Sequence, residues 1–421
     1  MVARMMIAFV VILILVGSTY AQKPEEDPAA QTPDEENSKP ALAVDQQPVS
    51  SMPQIPPGWS MPSPRSEGRL WVFGDYLFAF TRGSRLPSLV TTSNAGTPQI
   101  NAGVLGAPGT RTLIGDGWVN EGLRSGIRLG TGYWFSPERV FGVEAGVMVL
   151  EGRAAHFMGS SNNFPILARP FQDANAGVPA SQVIAFPNFS TGSVDARAGS
   201  SNFTETHIDL TERALEDGRF RLTALLGYRF YRYDESVNVG QTINPTNPNF
   251  IPGTRIVTND NFITRNSFNG LDMGYRWQCF WNSLSLDVLT KLAVGRVERT
   301  ISINGNQIIT APGATPVSQT GGVLALVSNS GFTTSHDWKA MPEAGVTLNW
   351  QLNSNMSVRL GYTFIFLNGV VRAADQIDTV VNTHLFPGGN AALGGPARPT
   401  AFFIRSDMWI QSINLGLLMT Y

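Results

Sequence analysis

The chain has 421 residues, of which 43% are hydrophobic and only 15% are charged, and 42 residues are glycine. This composition is unlike that of a soluble helical enzyme. The formal net charge of −2 argues against a nucleic-acid partner, because nucleic-acid-binding proteins usually carry a clustered basic excess. The single cysteine, Cys279, excludes an intramolecular disulfide, and no second cysteine or nearby histidine completes a metal site around it.

The N-terminal segment has the parts of a secretory signal peptide. An apolar run at residues 7–16 follows a positively charged start, and a small-residue cleavage motif ends at Ala21. We therefore expect residues 1–21 to be removed on export. Residues 22–67 are rich in proline and acidic residues, and such a segment has too little apolar surface to offset its ordering entropy. We expect a disordered periplasmic linker there, followed by a β-barrel at residues 68–421.

From residue 70 onward, strand-like segments are joined alternately by short and by long connections. Outer-membrane barrels have short periplasmic turns, long outer loops and strands of roughly 9–11 residues. The short connections lie near residues 136–139, 214–218, 279–282 and 353–355, and the long ones span 82–120, 151–201, 234–264, 302–336 and 372–405. This alternation predicts an all-β fold, an up-and-down antiparallel transmembrane β-barrel of ten strands. Twelve strands are the alternative, because 151–201 or 302–336 could contain a further hairpin, for instance around 323–327.

Within the predicted strands, apolar residues alternate with polar or small ones, as Ile127 and Leu129 alternate with Arg124 and Arg128. This period of two predicts one face toward lipid and one toward the lumen. Charges fall on the lumen side, since a charge facing lipid at mid-bilayer costs about 2–4 kcal/mol. We expect them to pair across a narrow lumen, because an unpaired buried charge is costly. The predicted lumen-facing residues are Asp75, Arg124, Arg128, Glu144, Arg221, Arg229, Asp272, Arg276, Asp287, Lys291, Glu343 and Arg359.

The last strand keeps this alternation to the end of the chain. Leu415, Leu417, Met419 and Tyr421 share its apolar face. The terminal aromatic residue resembles the C-terminal signal by which the barrel-assembly machinery recognises outer-membrane proteins. A half-buried strand of a soluble sandwich has the same period, but the aromatic residues near strand ends and the signal peptide favour the membrane.

Several segments also resemble a known family, the β-barrel porin 7 proteins of the outer membrane, which are abundant in planctomycete bacteria. The similar segments cover most of the chain from residue 70 in the right order. They are DYLFAFTRGSRLPSLVTTS at 75–93, RFRLTALLGYRFYRYDESV at 219–237, DNFITRNSFNGLDMGYRWQ at 260–278, MPEAGVTLN at 341–349, GYTFIFLNGVVRAADQID at 361–378, and the closing strand. The resemblance implies a barrel in the bacterial outer membrane, and the family has no catalytic residues to carry over.

Catalysis would need carboxylates and a histidine that converge at the outer rim of the barrel. The candidates are His336 with Asp337, and the set Glu205, His207 and Asp209. For both groups, a polar rim or lumen lining is the favoured interpretation. That set could also bind a divalent metal, although alternate residues of one strand seldom close a coordination shell. We therefore expect no enzymatic activity, no metal and no cofactor.

The sequence predicts a porin that passes ions or small solutes through a narrow, charged lumen. The alternative is a non-conducting structural or adhesive barrel that presents its long loops at the surface. The expected partners are outer-membrane lipid, the barrel-assembly machinery and small solutes or ions, with the oligomeric state left open.

Overall fold

Ten β-strands form a closed antiparallel barrel in which each strand pairs with its neighbours in sequence. The computed structural model describes residues 68–421, so the signal peptide and linker predicted at 1–21 and 22–67 lie outside the described residues. The barrel confirms the predicted all-β, up-and-down fold, with ten strands and not twelve. The strands are β1 (Leu70–Thr81), β2 (Gly122–Trp134), β3 (Phe141–Leu150), β4 (Phe203–Asp217), β5 (Phe220–Pro245), β6 (Arg255–Trp281), β7 (Leu284–Thr310), β8 (Gly331–Gln351), β9 (Met356–Val371) and β10 (Arg405–Thr420).

The barrel closes between its first and last strands. β1 and β10 are antiparallel, with Asp75 opposite Gly416. The backbone N–H of Leu70 donates to the carbonyl oxygen of Tyr421 at 3.1 Å, and the N–H of Tyr421 donates back to Leu70 at 2.8 Å. Closure leaves no strand edge with unpaired backbone groups inside the membrane, where water is not present to satisfy them.

The two faces of each strand differ in the way the alternation predicts. On β1, Tyr76 and Phe78 are 44% and 40% exposed on the outside of the barrel, whereas Leu77 and Ala79 are fully buried inside it. Outward positions are apolar because lipid tails surround them, and inward positions accept polar groups wherever a partner is near.

Four adjacent strands, β5 to β8, continue well beyond the lipid band, with lengths of 26, 27, 27 and 21 residues. A bilayer requires only roughly 9–11 residues per strand. On the outward face of β5, Leu226 and Tyr228 are 51% and 48% exposed, and the charged Arg232 follows Phe230. This change from apolar to charged side chains marks the outer border of the lipid band. The part of β5 beyond that border, residues 232–245, spans about 45 Å at ~3.3 Å per residue.

The extension corrects two predicted connections, because most of residues 234–264 and the start of 302–336 are strand. The reason lies on the inward face. Val237 and Val239 are 2% and 1% exposed, so the apolar alternation continues inside even though the outward residues have become polar. Such a sheet, buried on one face and solvated on the other, is stable outside the membrane.

The long connections contain further strands that build a folded structure beyond the membrane border. Residues 151–201 do contain an extra antiparallel pair, Ala154–Ser160 and Ser190–Ser200, but this pair extends the sheet beyond β3 and β4 and adds no strand to the barrel wall. A second, smaller sheet combines strands from three of the connections. The other strands of the connections are Ser84–Leu86, Val90–Thr92, Arg111–Ile114, Gly117–Val119, Leu167–Asp173, Pro179–Ala185, Val317–Thr320 and Val380–Val381.

The segment around residues 323–327, the other possible site of a further hairpin, is not a strand. Its backbone is held by the carboxylate of Asp260 on β6. The N–H groups of Val323 and Ala325 donate to Asp260 Oδ1 at 3.0 and 2.9 Å, and Arg169 lies 2.5 Å from Oδ2. Both charged side chains are fully buried, so this one carboxylate joins a barrel strand to two different connections.

The helices of the described chain are single turns in the long connections. They are the 3₁₀ turns Gln99–Asn101, Ala374–Gln376, Thr383–Leu385 and Ala391–Leu393. Within residues 68–421, no helix has the length and apolar character needed to cross a membrane.

Candidate functional site in the barrel lumen

The inward faces of the strands enclose a cavity of about 220 Å³ in the periplasmic half of the barrel. Residues of the short turns, such as Ser283 and Asn355, line its mouth, and Arg229 and Glu343 line its inner end. The wall between mouth and inner end combines charged and aromatic side chains. The cavity is therefore the place where a solute entering from the periplasm would first meet the lumen.

Arg229 on β5 is the centre of a buried ion-pair network. Its Nη2 lies 2.6 Å from the carboxylate of Glu343, and its Nε lies 3.1 Å from Asp272 and 3.2 Å from Glu205. The side chain is 1% exposed. Strands β4, β5, β6 and β8 contribute these four residues, so the network ties distant parts of the wall together across the lumen.

Lys291 on β7 extends the network. Its Nζ lies 2.5 Å from Asp209 and 3.0 Å from Asp272, and all three side chains are nearly or fully buried. Arg128 reaches Glu343 from the opposite side at 3.4 Å. Removal of charges from water costs several kcal/mol per ion, so each of these groups requires its partners.

Two further pairs lie in the wall of the cavity. Both terminal nitrogens of Arg276 donate to Glu144 at 2.8 Å, in the two-pronged geometry that suits a guanidinium and a carboxylate. Arg359 Nε lies 3.1 Å from Asp75, and its guanidinium stacks 4.2 Å above the ring of Phe73. These contacts fix the arginine heads, because a guanidinium that pairs and stacks loses its alternative orientations.

Inward-facing glycines provide the room for this packing. A Cβ at Gly227 would lie 2.3 Å from the carboxylate of Asp209, and one at Gly416 would lie 2.2 Å from that of Asp75. Each glycine is the direct neighbour of its carboxylate on the adjacent strand. The carboxylates therefore bend over the neighbouring strand into space that any side chain there would occupy.

Three predicted lumen residues lie apart from the central network. Arg124 lies higher in the barrel, where it donates to Ser200 Oγ at 2.8 Å. Arg221 lies near a periplasmic turn and pairs with Glu216 at 2.7 Å. Asp287 lines the cavity without joining the Arg229 network. The expected pairing across the lumen thus holds for part of the set only.

Glu205 and Asp209 belong to the network although they were not among the predicted lumen-facing residues. The sequence pattern does place both on the lumen face, because they alternate with Ile208 and Leu210, which are 53% and 61% exposed on the lipid side of β4. This strand has the weakest alternation in the sequence, and for its acidic residues the pattern favours a polar rim or lumen lining over a metal or catalytic site.

An apolar layer fills the lumen above the cavity. Within it, Phe203, Tyr231 and Phe268 stack on the adjacent strands β4, β5 and β6, with ring centroids 5.9 and 5.4 Å apart. Nine of the ten strands contribute to the layer, every member is at most 2% exposed, and no member lines the cavity below. The members are Leu77, Ala79, Met148, Leu150, Phe203, Tyr231, Tyr233, Phe268, Ala293, Val297, Met341, Ile365, Leu367, Val370, Met408 and Ile410.

The start of the last long connection, residues 372–374, lies in the outer mouth of the barrel and is at most 4% exposed. Its Arg372 Nε donates to Glu235 at 2.8 Å, and the same carboxylate accepts hydrogen bonds from Asn120 Nδ2 at 2.8 Å and Tyr233 at 2.6 Å. Burial alone would lower the pKa of the Arg372 guanidinium, but Glu235 beside it raises that pKa above its ordinary value. The segment is therefore held as an ion-paired plug.

The rim residues considered for catalysis are engaged in other contacts. The Asp337 carboxylate is bound by Arg299 and, at 3.1 Å, by Arg405. The neighbouring His336 lies 3.8 Å from Glu298, on the other face of the strand. A general acid or base needs a free proton-accepting atom directed at a substrate, and Asp337 instead holds two arginines.

One group in residues 68–421 has metal-ligand geometry, namely Glu144, His207 and Asp209, whose ligand atoms lie within 4.8 Å of one another. Two cations are already present there, since Arg276 binds Glu144 and Lys291 binds Asp209. A divalent ion would have to displace both. The donor set therefore fits the ion-pair network better than a metal.

The residues predicted as an assembly signal lie on the outside of β10. Leu415, Leu417, Met419 and Tyr421 are 50%, 42%, 37% and 63% exposed. They form a continuous apolar stripe beside β1, at the line where the barrel closes.

Comparison with protein families gives one match over nearly the whole described chain. A family model described as "Putative beta barrel porin-7 (BBP7)" matches residues 71–421. The chain belongs to the BBP7 family. This confirms the resemblance found in the sequence, and the barrel fold and the family together indicate the bacterial outer membrane.

Several solved structures have some similarity to this BBP7 protein. The outer membrane protease OmpT of Escherichia coli has 9% identity and a TM-score of 0.38, covering 85% of this chain and 97% of its own. A FadL homologue of Pseudomonas aeruginosa has 9% identity and a TM-score of 0.23, covering 84% and 90%. The P. putida toluene transporter TodX has 7% identity and a TM-score of 0.20, covering 85% and 90%. At such scores these likenesses say nothing about activity, and no curated protein matches the sequence.

Proposed function

We propose that this BBP7 protein is a non-conducting outer-membrane barrel that anchors a folded β-structure at the cell surface. The observation that carries the proposal is the apolar layer across the lumen. An ion or polar solute that crossed it would have to leave water, at a cost of several kcal/mol for each unsatisfied polar group and far more for a charge.

The plug above the layer supports the same proposal. Arg372, Glu235 and Asn120 are each at most 6% exposed, so the outer mouth is closed by a second, polar contact set. To open a passage, the barrel would have to displace both the stacked rings and this ion pair. Two closures in series argue against a constantly open pore.

The structure outside the membrane is the other support. β5 to β8 carry the barrel sheet outward, and the connections pack against its inner face with a common apolar core that includes Val237, Phe262 and Leu324. Loops that only flank a pore do not require such a core. A core of this kind keeps a large outer surface in one conformation, as a structural or adhesive protein needs.

A porin is the second candidate, and the charged periplasmic cavity is the observation that favours it. We propose no enzymatic activity for either case. This part of the proposal rests on the contacts of Asp337 and of the Glu144, His207 and Asp209 group, whose carboxylates are all held by arginine or lysine.

Planar-bilayer recordings of the purified full chain test the proposal. We expect the wild type to give no steady single-channel conductance, and a Tyr231→Ala/Phe268→Ala/Glu235→Ala/Arg372→Ala variant to give conductance because it opens both the apolar layer and the plug. Tyr228→Ala/Tyr275→Ala is the matched control, since it removes two rings from the lipid face of the same strands, and it should remain silent. Steady conductance of the wild type would overturn the proposal in favour of the porin.

A further inference from the structure

Two strands of the sheet are interrupted where they leave the lipid band. β3 ends at Leu150, and the outer strand that follows it begins at Ala154. The second outer strand ends at Ser200, and β4 begins at Phe203. That outer strand and β4 both pair with β5, with Ser200 opposite Glu235 and Thr204 opposite Arg232. Residues 201–202 lie between them, and an open cleft of about 660 Å³ lies at this interruption.

Three arginines line the cleft, namely Arg153, Arg197 and Arg232. Arg153 donates to the carbonyl oxygen of Leu123 at 2.9 Å, and Arg232 lies 2.7 Å from Asp234. Within residues 68–421, the guanidinium of Arg197 has no hydrogen-bond or ion-pair partner, and the residue is exposed.

The balance of charge in the cleft is positive. Its acidic residues are Glu151 and Asp234, and a fourth arginine, Arg265, approaches Asp234 at 3.5 Å. Asp234 is thus shared between two arginines. Ser201 and Asn202 add polar groups to the lining. A lining of this kind suits an anion with several oxygens, because guanidinium groups bind phosphate through paired hydrogen bonds.

The depth of the cleft points to the source of that anion. On the outward face of β4, Thr206 lies next below Thr204, which lines the cleft, and the exposed apolar residues Ile208 and Leu210 follow it. On β5, Arg232 follows the last apolar outward residue, Phe230. The cleft therefore lies where the acyl chains of the outer leaflet meet the headgroups, with an apolar surface for the chains immediately beneath it.

We propose that the cleft binds the phosphate-bearing headgroup of an anionic lipid of the outer leaflet. The headgroup phosphate occupies the space between Arg153, Arg197 and Arg232, and the acyl chains lie along the apolar outer face of β4. A free phosphate offers the same anionic oxygens but makes no use of that apolar face.

The test uses the purified full chain in a neutral detergent, titrated with phosphatidic acid, phosphatidylcholine or inorganic phosphate, and native mass spectrometry counts the bound molecules. The cleft variant replaces its three arginines by glutamine. The control variant makes the same charge change at three exposed arginines away from the cleft, as Arg85→Gln/Arg111→Gln/Arg255→Gln. Heat-modifiable migration on a gel verifies that both variants are folded.

We expect one phosphatidic acid to be retained in preference to phosphatidylcholine. Its affinity should fall by roughly tenfold or more in the cleft variant, which corresponds to about 1.4 kcal/mol per factor of ten, and should be unchanged in the control. Equal retention by the cleft and control variants would overturn the proposal. Inorganic phosphate that competes as effectively as the lipid would also overturn it, because the site would then be one for free anions.

Discussion

The Arg229→Met substitution is the sharpest test of the lumen network. Arg229 contacts Glu205, Asp272 and Glu343 within 3.2 Å while only 1% exposed. Methionine keeps the unbranched stem of the side chain without its charge, so the substitution removes the cation and leaves a smaller space than alanine would. It therefore isolates the electrostatic role of the guanidinium.

The magnitude follows from the partners that remain. Without Arg229, Asp272 keeps Lys291 at 3.0 Å and Glu343 keeps Arg128 at 3.4 Å, but Glu205 retains only its contact with His207. About one buried carboxylate thus loses its compensating charge. Loss of one partner of a buried pair costs roughly 3–5 kcal/mol, which sets the expected fall in the free energy of unfolding.

Urea unfolding in phosphatidylcholine vesicles, followed by tryptophan fluorescence, measures this change. Arg265→Met is the matched control, because Arg265 is 53% exposed on the neighbouring strand and an exposed ion pair contributes only about 0–1 kcal/mol. Addition of Glu205→Gln to Arg229→Met should restore part of the loss, since it removes the carboxylate that loses its compensating cation. If Arg229→Met destabilises no more than Arg265→Met, the network does not hold the barrel together.

Two further predictions concern assembly and the outer structure. Tyr421→Asp should lower the amount of barrel in the outer membrane more than it lowers export, because it places a charge on the apolar stripe where β1 and β10 meet. Normal outer-membrane levels of the variant on fractionation would contradict this. Asp260→Ala should make the segment near residue 323 sensitive to protease in intact cells, because three backbone N–H groups and the Arg169 guanidinium lose their buried partner. Asp195→Ala is the control, since Asp195 is exposed with one histidine partner, and equal proteolysis of both variants would refute the assigned role.

The barrel itself could be predicted from the sequence. Alternation with a period of two, together with alternating short and long connections, is sufficient for ten strands and their inward and outward faces, because a strand has only two faces and lipid excludes charge from one of them. Asp75 and Tyr76 on β1 show the result, with one buried inside and the other exposed outside.

The partners of the lumen charges could not be predicted in the same way. The alternation along a strand assigns a side chain to the lumen. Its ion-pair partner, however, depends on the tilt of the strands and on the height of each residue in the barrel. Arg124 and Arg221 accordingly lie too high and too low to join Arg229. Glu205 and Asp209, on the strand with the weakest alternation, take places in the network instead.

The closure of the lumen was decided by tertiary structure alone. Tyr231 and Phe268 lie at inward-facing positions of two long strands. The sequence at these positions is compatible with either a core or a pore lining. Their rings meet because the register places the two residues directly opposite each other on adjacent strands. The narrow width of a ten-stranded barrel then lets the inward residues of nine strands fill the lumen around them. The plug likewise requires Arg372 to return to Glu235 across 137 residues of chain, a contact that local pattern does not specify. Local alternation thus determined which side of the wall each residue occupies, and the diameter of the closed barrel and the return of a distant connection determined that the lumen is filled.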